Sequence, residues 1–271
     1  MPELPEVETV ARTLRPHLIG AVPVAVEVRN RNLRRPLPRR FAALLEGRRI
    51  ETLQRRGKYL IAQFAESPAW IIHLGMSGRL VFSLEPAPLG PHDHVVVRFD
   101  RGGTLVFTDP RRFGLMVLAD PSSSDLLSGL GPEPFDEEAF HGRYLFELGR
   151  RRRRAVKDVL MDQRVVAGIG NIYANEILFA AGLRPRRSVA RLTLRDCETL
   201  VRATRCVLSE AIEHRGSSVS DFLDGVGRRG GYQWRRRVYD REGEECPRCR
   251  MPIKKLVIGQ RSSFYCPNCQ R

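Results

Sequence analysis

The sequence predicts an α+β protein built from several domains, and three observations carry that prediction. Eight short runs rich in β-branched and aromatic residues occupy the stretch between residues 21 and 118. Helical spacing takes over after residue 150, and four of the six cysteines lie in two Cys-x2-Cys pairs near the C-terminal end. At 271 residues the chain can bury one good core and a second, smaller one.

Each element follows from its residues. Residues 5–19 place Val7, Val10, Leu14 and Leu18 near helical spacing, with Pro5 suited to a first turn, so an amphipathic helix opens the chain. Strands are expected at 21–29, 48–55, 59–64, 70–73, 80–83, 95–99, 104–108 and 115–118, with Asp100-Arg101-Gly102-Gly103 as a hairpin connection. So many short strands imply an antiparallel sandwich or barrel carrying one or two helices. Gly129-Leu130-Gly131-Pro132-Glu133-Pro134 punctuates the chain as a hinge and closes a first domain over 1–131. A helical domain over 132–235 follows, with helices at 150–161, 171–181 and 194–214. Thr193 and Asp196 resemble a capping box there, and Gly216 a C-terminal cap. The Gly/Arg-rich stretch 225–237 leads into a third unit over 236–271, which holds the cysteine pairs.

Charge points to the partner. The formal net charge is +15, and it is uneven: residues 1–130 carry 18 basic and 13 acidic side chains, residues 131–271 carry 28 and 18. Such a surplus favours a polyanion, because neutralising phosphates releases counterions. Nucleic acid is expected rather than membrane: no apolar run approaches the roughly 20 residues of a span, and the acidic, proline-bearing start does not read as a signal peptide. A cytoplasmic, nucleoid-associated monomer is the expectation. Only four of the 46 basic residues are lysine: Lys58, Lys157, Lys254 and Lys255. In so arginine-rich a chain, Lys58 and Lys157 are candidates for work that needs a compact ammonium able to shift its pKa. Lys254 and Lys255 are read as survivors of the bias.

Cys246-x2-Cys249-x16-Cys266-x2-Cys269 has the spacing of two zinc knuckles. Four thiolates leave no open position for water, so one structural zinc folding a hairpin is expected. Cys197 and Cys206 are read as small core residues. Arg248, Arg250, Lys254, Lys255 and Arg261 around the knuckles face either phosphate or solvent.

At the other end, the sequence runs Met1-Pro2-Glu3-Leu4-Pro5-Glu6. With Met1 removed, Pro2 is a secondary amine, and an N-terminal amine with a pKa near ~7.7–8.0 is partly unprotonated at neutral pH and nucleophilic. The plainer reading is a proline that stiffens the helix start. Between two helices, residues 162–171 carry Gly168 and Gly170 ahead of Asn171; the glycines alone fit an ordinary helical-hairpin turn, but with Arg150 to Arg154 and Lys157 they would grip a phosphate backbone at a helix N-terminus. Two further loops, His73 to Gly78 and Thr108 to Gly114, could project Met76 and Phe113 as apolar wedges with Arg111 beside them, the plainer reading of Met76 and Phe113 being core residues. His92-Asp93-His94 reads as hydrogen-bonding histidines rather than a metal site.

These motifs run nearly end to end: Pro2 to Thr9, Gly57-Lys58-Tyr59-Leu60, His73 to Gly78, Asp109 to Gly114, Gly168 to Ala174, and Cys266-Pro267-Asn268-Cys269-Gln270. Together they resemble the formamidopyrimidine-DNA glycosylase family of base-excision repair enzymes. The resemblance implies an N-terminal β-sandwich, a helix-two-turn-helix domain and a C-terminal zinc-finger hairpin. It implies excision of 8-oxoguanine and formamidopyrimidines from damaged duplex DNA. It makes Pro2 the Schiff-base nucleophile, Glu3 its proton-transfer partner, Lys58 an aid to β-elimination and Arg261 a participant in δ-elimination. Met76, Arg111 and Phe113 match the void-filling group, and His92, Arg152, Lys157 and Asn171 match phosphate contacts. Ser217, Ser218, Val219 and Ser220 fall in the loop expected to fold over the extruded base. That loop has one glycine where two are common and Ser220 where a basic residue is usual, which bears on lesion preference. The related endonuclease VIII branch, which prefers oxidised pyrimidines, usually differs in the N-terminal and wedge motifs. A zinc-finger DNA-binding protein that keeps the scaffold without catalysis is the competing reading, and Pro2, Glu3 and Lys58 together favour the enzyme.

Overall fold

Helix α1 (Leu4–Leu18) buries Leu4, Val7, Val10, Ala11, Leu14 and Leu18 along one face, as its spacing predicts. In the computed structural model, which describes every residue except Ser67, Pro86 and residues 219–221, this helix lies against two four-stranded antiparallel sheets. The first has the order β1 (Pro23–Val28), β6 (Asp93–Phe99), β7 (Thr104–Thr108), β5 (Arg79–Ser83). The second runs β2 (Ile50–Arg56), β3 (Tyr59–Phe64), β4 (Ala69–His73), β8 (Leu115–Ala119). Leu60, Trp70, Ile72, Val95, Val97, Leu105 and Phe107 are buried with α1 in one cluster, so the alternative of sandwich or barrel resolves to two separate sheets sharing a core. Full burial of each such side chain contributes about 1.5–3 kcal/mol. All eight strands lie within about two residues of their expected bounds.

The chain divides into two compact units: Met1–Ser128 with Ile212–Gln233, and Gly129–Ala211 with Trp234–Arg271. The returning segment docks on α1, where Gly225 N–H donates to Thr13 Oγ1 at 2.9 Å and Gly225 O accepts Phe82 N–H at 2.8 Å.

The second unit holds α2 (Gly142–Arg150), α3 (Val156–Met161), α4 (Asn171–Ala181) and most of α5 (Leu194–Glu213). Of the single helix expected over 150–161, only residues 156–161 form one, as α3, and residues 151–155 break it from α2. Arg150 to Arg154 put five like charges within little more than one turn. The backbone there bonds sideways instead: Val189 N–H to Arg154 O, and Val156 N–H to Arg187 O. Helix α2 was not anticipated; its N-cap is His141, whose Nδ1 accepts Tyr144 N–H at 3.2 Å. At α5 the Thr193 and Asp196 capping box forms, and Arg215 (φ 60°) shares the left-handed turn beyond the helix with Gly216. Cys197 is buried, and burial pushes its thiol up to about 11. Cys206, expected in the core, is exposed, because α5 turns Ala203, Thr204, Val207 and Leu208 inward instead. Strands β9 (Lys254–Ile258) and β10 (Arg261–Tyr265) form the C-terminal hairpin, packed through Phe264 on Phe179, Val238 and the cysteines. No helix among the described residues is long and apolar enough to cross a membrane.

Candidate active site and nucleic-acid contacts

Pro2 and Glu3 are buried at the head of α1, whereas Met1 is 48% exposed. Glu3 is the N-cap, and Glu6 closes a capping box on it, its Oε2 accepting Glu3 N–H at 2.8 Å. The other oxygen of Glu6 accepts Ser217 N–H at 2.7 Å, so one buried carboxylate ties the residue after Pro2 to the expected base-covering loop. Ser218 is fixed as well: its N–H donates to Gln233 Oε1, and its Oγ donates to Phe222 O and accepts Gly230 N–H. Val219 and Ser220 lie outside the described residues.

Lys58 follows Gly57 in the β2–β3 turn and is 6% exposed. The turn is held from α1. Glu8 accepts from Arg12 at 2.9 Å, from Arg55 at 3.0 Å and from Arg15 at 3.4 Å. Arg55 also donates to Gly57 O at 3.1 Å. Burial alone would raise the Glu8 carboxyl, but the guanidiniums around it hold it below the usual carboxylate range. Opposite Lys58, His73 packs on Tyr59 with ring centroids 4.8 Å apart, and its Nδ1 accepts Gly75 N–H at 2.9 Å. Burial, then the charges of Lys58 and Arg34, lower the His73 imidazole to about 4, so it is neutral at physiological pH.

The two wedge loops meet. A Cβ on Gly75 (φ 66°) would lie 2.4 Å from the Phe113 carbonyl carbon, so only glycine permits the crossing. Asp109, fully buried, binds both loops: Ser77 Oγ donates to its Oδ1 at 2.7 Å and Gly114 N–H to its Oδ2 at 2.7 Å. Its carbonyl accepts from buried His94 Nε2 at 2.8 Å. With the backbones locked, Met76 is 44% and Phe113 45% exposed, and the Arg111 guanidinium lies 4.8 Å over the Phe113 ring. Large apolar groups held in water on rigid loops are suited to inserting into something. His92 is exposed at the start of β6.

In the second unit, Tyr144, Glu147, Leu148 and Arg150 to Arg152 line a basic cleft. Arg154 is diverted from it, paired with Asp162 at 2.7 Å; Arg154 and Arg164 outweigh burial and hold the Asp162 carboxyl at about 2. Asn171 opens α4, and its Nδ2 donates to Ser262 O at 3.2 Å while its Oδ1 is buried with no partner among the described residues. Lys157, expected at a phosphate, has no exposed surface; its Nζ donates to Ser262 O at 2.7 Å and to Ser263 Oγ at 2.6 Å. Sequence reading also missed Glu176, fully buried on α4, which accepts the successive N–H groups of Arg237, Val238 and Tyr239 at 2.8, 3.0 and 2.8 Å. Burial raises its carboxyl despite those bonds. No local spacing marks it, because its partners lie more than sixty residues on.

The four sulfurs of Cys246, Cys249, Cys266 and Cys269 lie within 4.8 Å of one another. Zn–S bonds of ≈ 2.3 Å in a tetrahedron demand sulfurs ~3.8 Å apart, and Cys246–Cys269 at 3.9 Å and Cys249–Cys266 at 3.4 Å meet that closely. Arg248 N–H and Cys269 N–H donate to Cys246 and Cys266 sulfurs. Burial and the other sulfurs push Cys269 up to about 12, while the Met251 N–H and the Asn268 side chain bring Cys249 down to about 6. Burial and the neighbouring sulfurs oppose ionisation at Cys266 and Cys269, so a dication that stabilises thiolates suits the four-sulfur cage, and one structural zinc fits it. Arg248 itself donates to Phe179 O and Ala180 O at the end of α4, and so serves as a helix cap. Arg261 is exposed directly beyond the β9–β10 turn.

Known proteins share this arrangement. The formamidopyrimidine-DNA glycosylase N-terminal domain profile matches residues 1–116, the H2TH domain of the same enzymes matches 130–223, and the zinc finger found in FPG and IleRS matches 243–271. Formamidopyrimidine-DNA glycosylases of Stutzerimonas stutzeri and Thiobacillus denitrificans are each 46% identical over 272 residues, covering both chains completely. The crystal structure of the MutM (FPG) protein from Thermus thermophilus is 41% identical with a TM-score of 0.85, covering 99% of this chain and 98% of that one. Lactococcus lactis Fpg in complex with abasic-site DNA is 32% identical with a TM-score of 0.91 and 99% coverage of both. The chain belongs to the formamidopyrimidine-DNA glycosylase family.

Proposed function

We infer that this protein is a DNA-repair glycosylase and abasic-site lyase that excises oxidised purines, 8-oxoguanine and formamidopyrimidines, from duplex DNA. The observation that carries the reading is Pro2, buried at the head of α1 beside a Glu3 whose backbone is locked by Glu6. Lactococcus lactis relatives of the same fold were solved on DNA holding Fapy-dG or an abasic site. Once Met1 is removed, the Pro2 nitrogen carries a lone pair. It attacks C1′ of the deoxyribose, the bond from C1′ to the base breaks, and ring opening leaves an iminium; a secondary amine gives this cation directly. Glu3 moves the protons of these steps. Lys58 assists β-elimination and Arg261 the following δ-elimination, cutting the strand on both sides of the lost nucleoside.

Met76 and Phe113 fill the space left by the extruded nucleotide, and Arg111 meets its orphaned partner. His92, Arg152 and Asn171 hold phosphates, with the arginine-lined cleft beside α2 supporting that grip. Ser217, Ser218, Val219 and Ser220 cover the extruded base. The zinc cage serves the fold alone, keeping Arg261 on a formed hairpin. A monomer on nucleoid DNA in the cytoplasm is the proposed working state, with Pro2, Glu3 and Lys58 together in the first unit.

Borohydride added to the mature protein with an 8-oxoguanine:cytosine duplex should trap a covalent adduct of the reduced iminium. Pro2→Gly should lose most of that trapping, and intact-mass measurement should show Met1 missing from the trapped species. Absence of an adduct under conditions where the duplex is bound would overturn the lyase assignment. Trapping on a species that retains Met1 would overturn the role of Pro2.

A further inference from the structure

The ammonium of Lys157 is placed where no phosphate can reach it. The residue is fully buried, and its Nζ donates to Ser262 O at 2.7 Å and Ser263 Oγ at 2.6 Å. Ser263, also fully buried, passes the contact on, its Oγ donating to Arg261 O at 3.4 Å. The bonds therefore run from Lys157 through Ser263 to the carbonyl of the residue assigned to δ-elimination. Neighbouring groups grip the same strand. Asn171 Nδ2 donates to Ser262 O at 3.2 Å, and buried Asn175 accepts Phe264 N–H at 2.7 Å while its own Nδ2 donates to Asn171 O at 2.6 Å. The adjoining turn is equally tight: Gly259 (φ 52°) and Gln260 (φ 59°) are both left-handed, and a Cβ on Gly259 would sit 2.8 Å from Asp158 Oδ1, next to Lys157 in α3.

A buried cation is costly unless paired. The donors of Lys157 reach both a backbone carbonyl and a hydroxyl, which fixes the start of β10 in position along the strand as well as in height above α3. We infer that Lys157 is a positioning residue: it sets the registration of β10 on α3 and so aims Arg261, rather than contacting DNA. This deepens the proposed role of Arg261 and rests on it.

Three measurements on zinc-replete, full-length Lys157→Met separate the alternatives. A phosphate contact would lower the slope of log K against log[salt] by about 0.9; positioning leaves the slope unchanged. Positioning should raise amide exchange across Arg261 to Phe264 with α4 protected as before. It should also lower the ratio of δ- to β-elimination product, by as much as about 10²-fold for ångström-scale misplacement, at unchanged duplex affinity and zinc content. If Lys157→Met fails to retain zinc, Ser263→Ala, which removes one acceptor and leaves Ser262 O, should shift the exchange and the product ratio in the same direction but less. A reduced salt slope with unchanged exchange and product ratio would overturn the inference. Arg261→Ala is run alongside. Should it leave δ-elimination intact, the assignment of Arg261 fails, and the positioning role stands or falls on the exchange of 261–264 alone.

Discussion

Two turns, one in each unit, present the two cations proposed for elimination, and they are secured by opposite means. Lys58 sits in the β2–β3 turn of a sandwich with a large apolar core, and is tied to α1 through Arg55 and the Glu8 carboxylate. Arg261 follows the β9–β10 turn of a two-stranded hairpin whose own cluster amounts to Phe179, Val238, Ile253, Phe264 and cysteines. A two-stranded hairpin is marginal by itself, so what the sandwich gains from burial the hairpin must gain from thiolates and from the buried polar side chains of α3 and α4. The difference teaches that similar chemistry can rest on supports of very different fragility.

The largest expected effect breaks the weaker side. Removing zinc withdraws a binding energy of about 10–16 kcal/mol in small structural sites, so chelation should unfold the hairpin and weaken DNA binding while the sandwich keeps its thermal transition. Calorimetry with a duplex-binding assay reads both, and unchanged affinity after verified metal loss would contradict the picture. An intermediate effect belongs to the sandwich. Asp109→Ala leaves Ser77 Oγ and Gly114 N–H without their carboxylate, the buried Gly114 N–H alone costing about 1–3 kcal/mol when unsatisfied. Its urea midpoint should fall while zinc content holds; an unchanged midpoint would show that the crossing of the two loops is secured some other way.

The smallest effect is one of pH. His73 is neutral when folded, with its imidazole lowered to about 4 against an ordinary value of 6.5. Below pH 6.5 the unfolded chain takes up a proton that the folded one refuses, so stability should decline as pH falls from about 6.5 to about 4, by at most about 3 kcal/mol. Above pH 6.5 the residue contributes no pH dependence. His73→Gln should flatten the histidine part of that slope in urea titrations, and a variant as steep as the parent would remove His73 as its source.

What sequence reading reached and what it missed divide along the range of the interactions. Strand alternation, the face of α1 and the start and end of α4 are set by near neighbours, and they appear within a residue or two of expectation. The cysteine spacing is local in the same sense, and the cage follows. Lys157 could be picked out as chemically special from the scarcity of lysine. Its burial could not, because its acceptors lie 105 and 106 residues away. The roles of Asp109, Glu8 and Glu176 were hidden for the same reason: each accepts from a donor that only the fold brings near, Ser77, Arg55 and Val238 respectively. Helix α2 was missed because a histidine caps it and a run of arginines follows it, neither of which resembles an ordinary helix signal.

The crossing at Gly75 also constrains how this protein can change. The loops at 73–78 and 109–114 are separated in the chain by three strands, yet each is moulded on the other's backbone with no slack for a single extra carbon. They are therefore inherited as one object. A chimaera that takes one loop from a distant relative and keeps the other should fail more often than one that exchanges both, and directed libraries aimed at wedge identity should vary Met76 and Phe113 together while leaving the glycine alone.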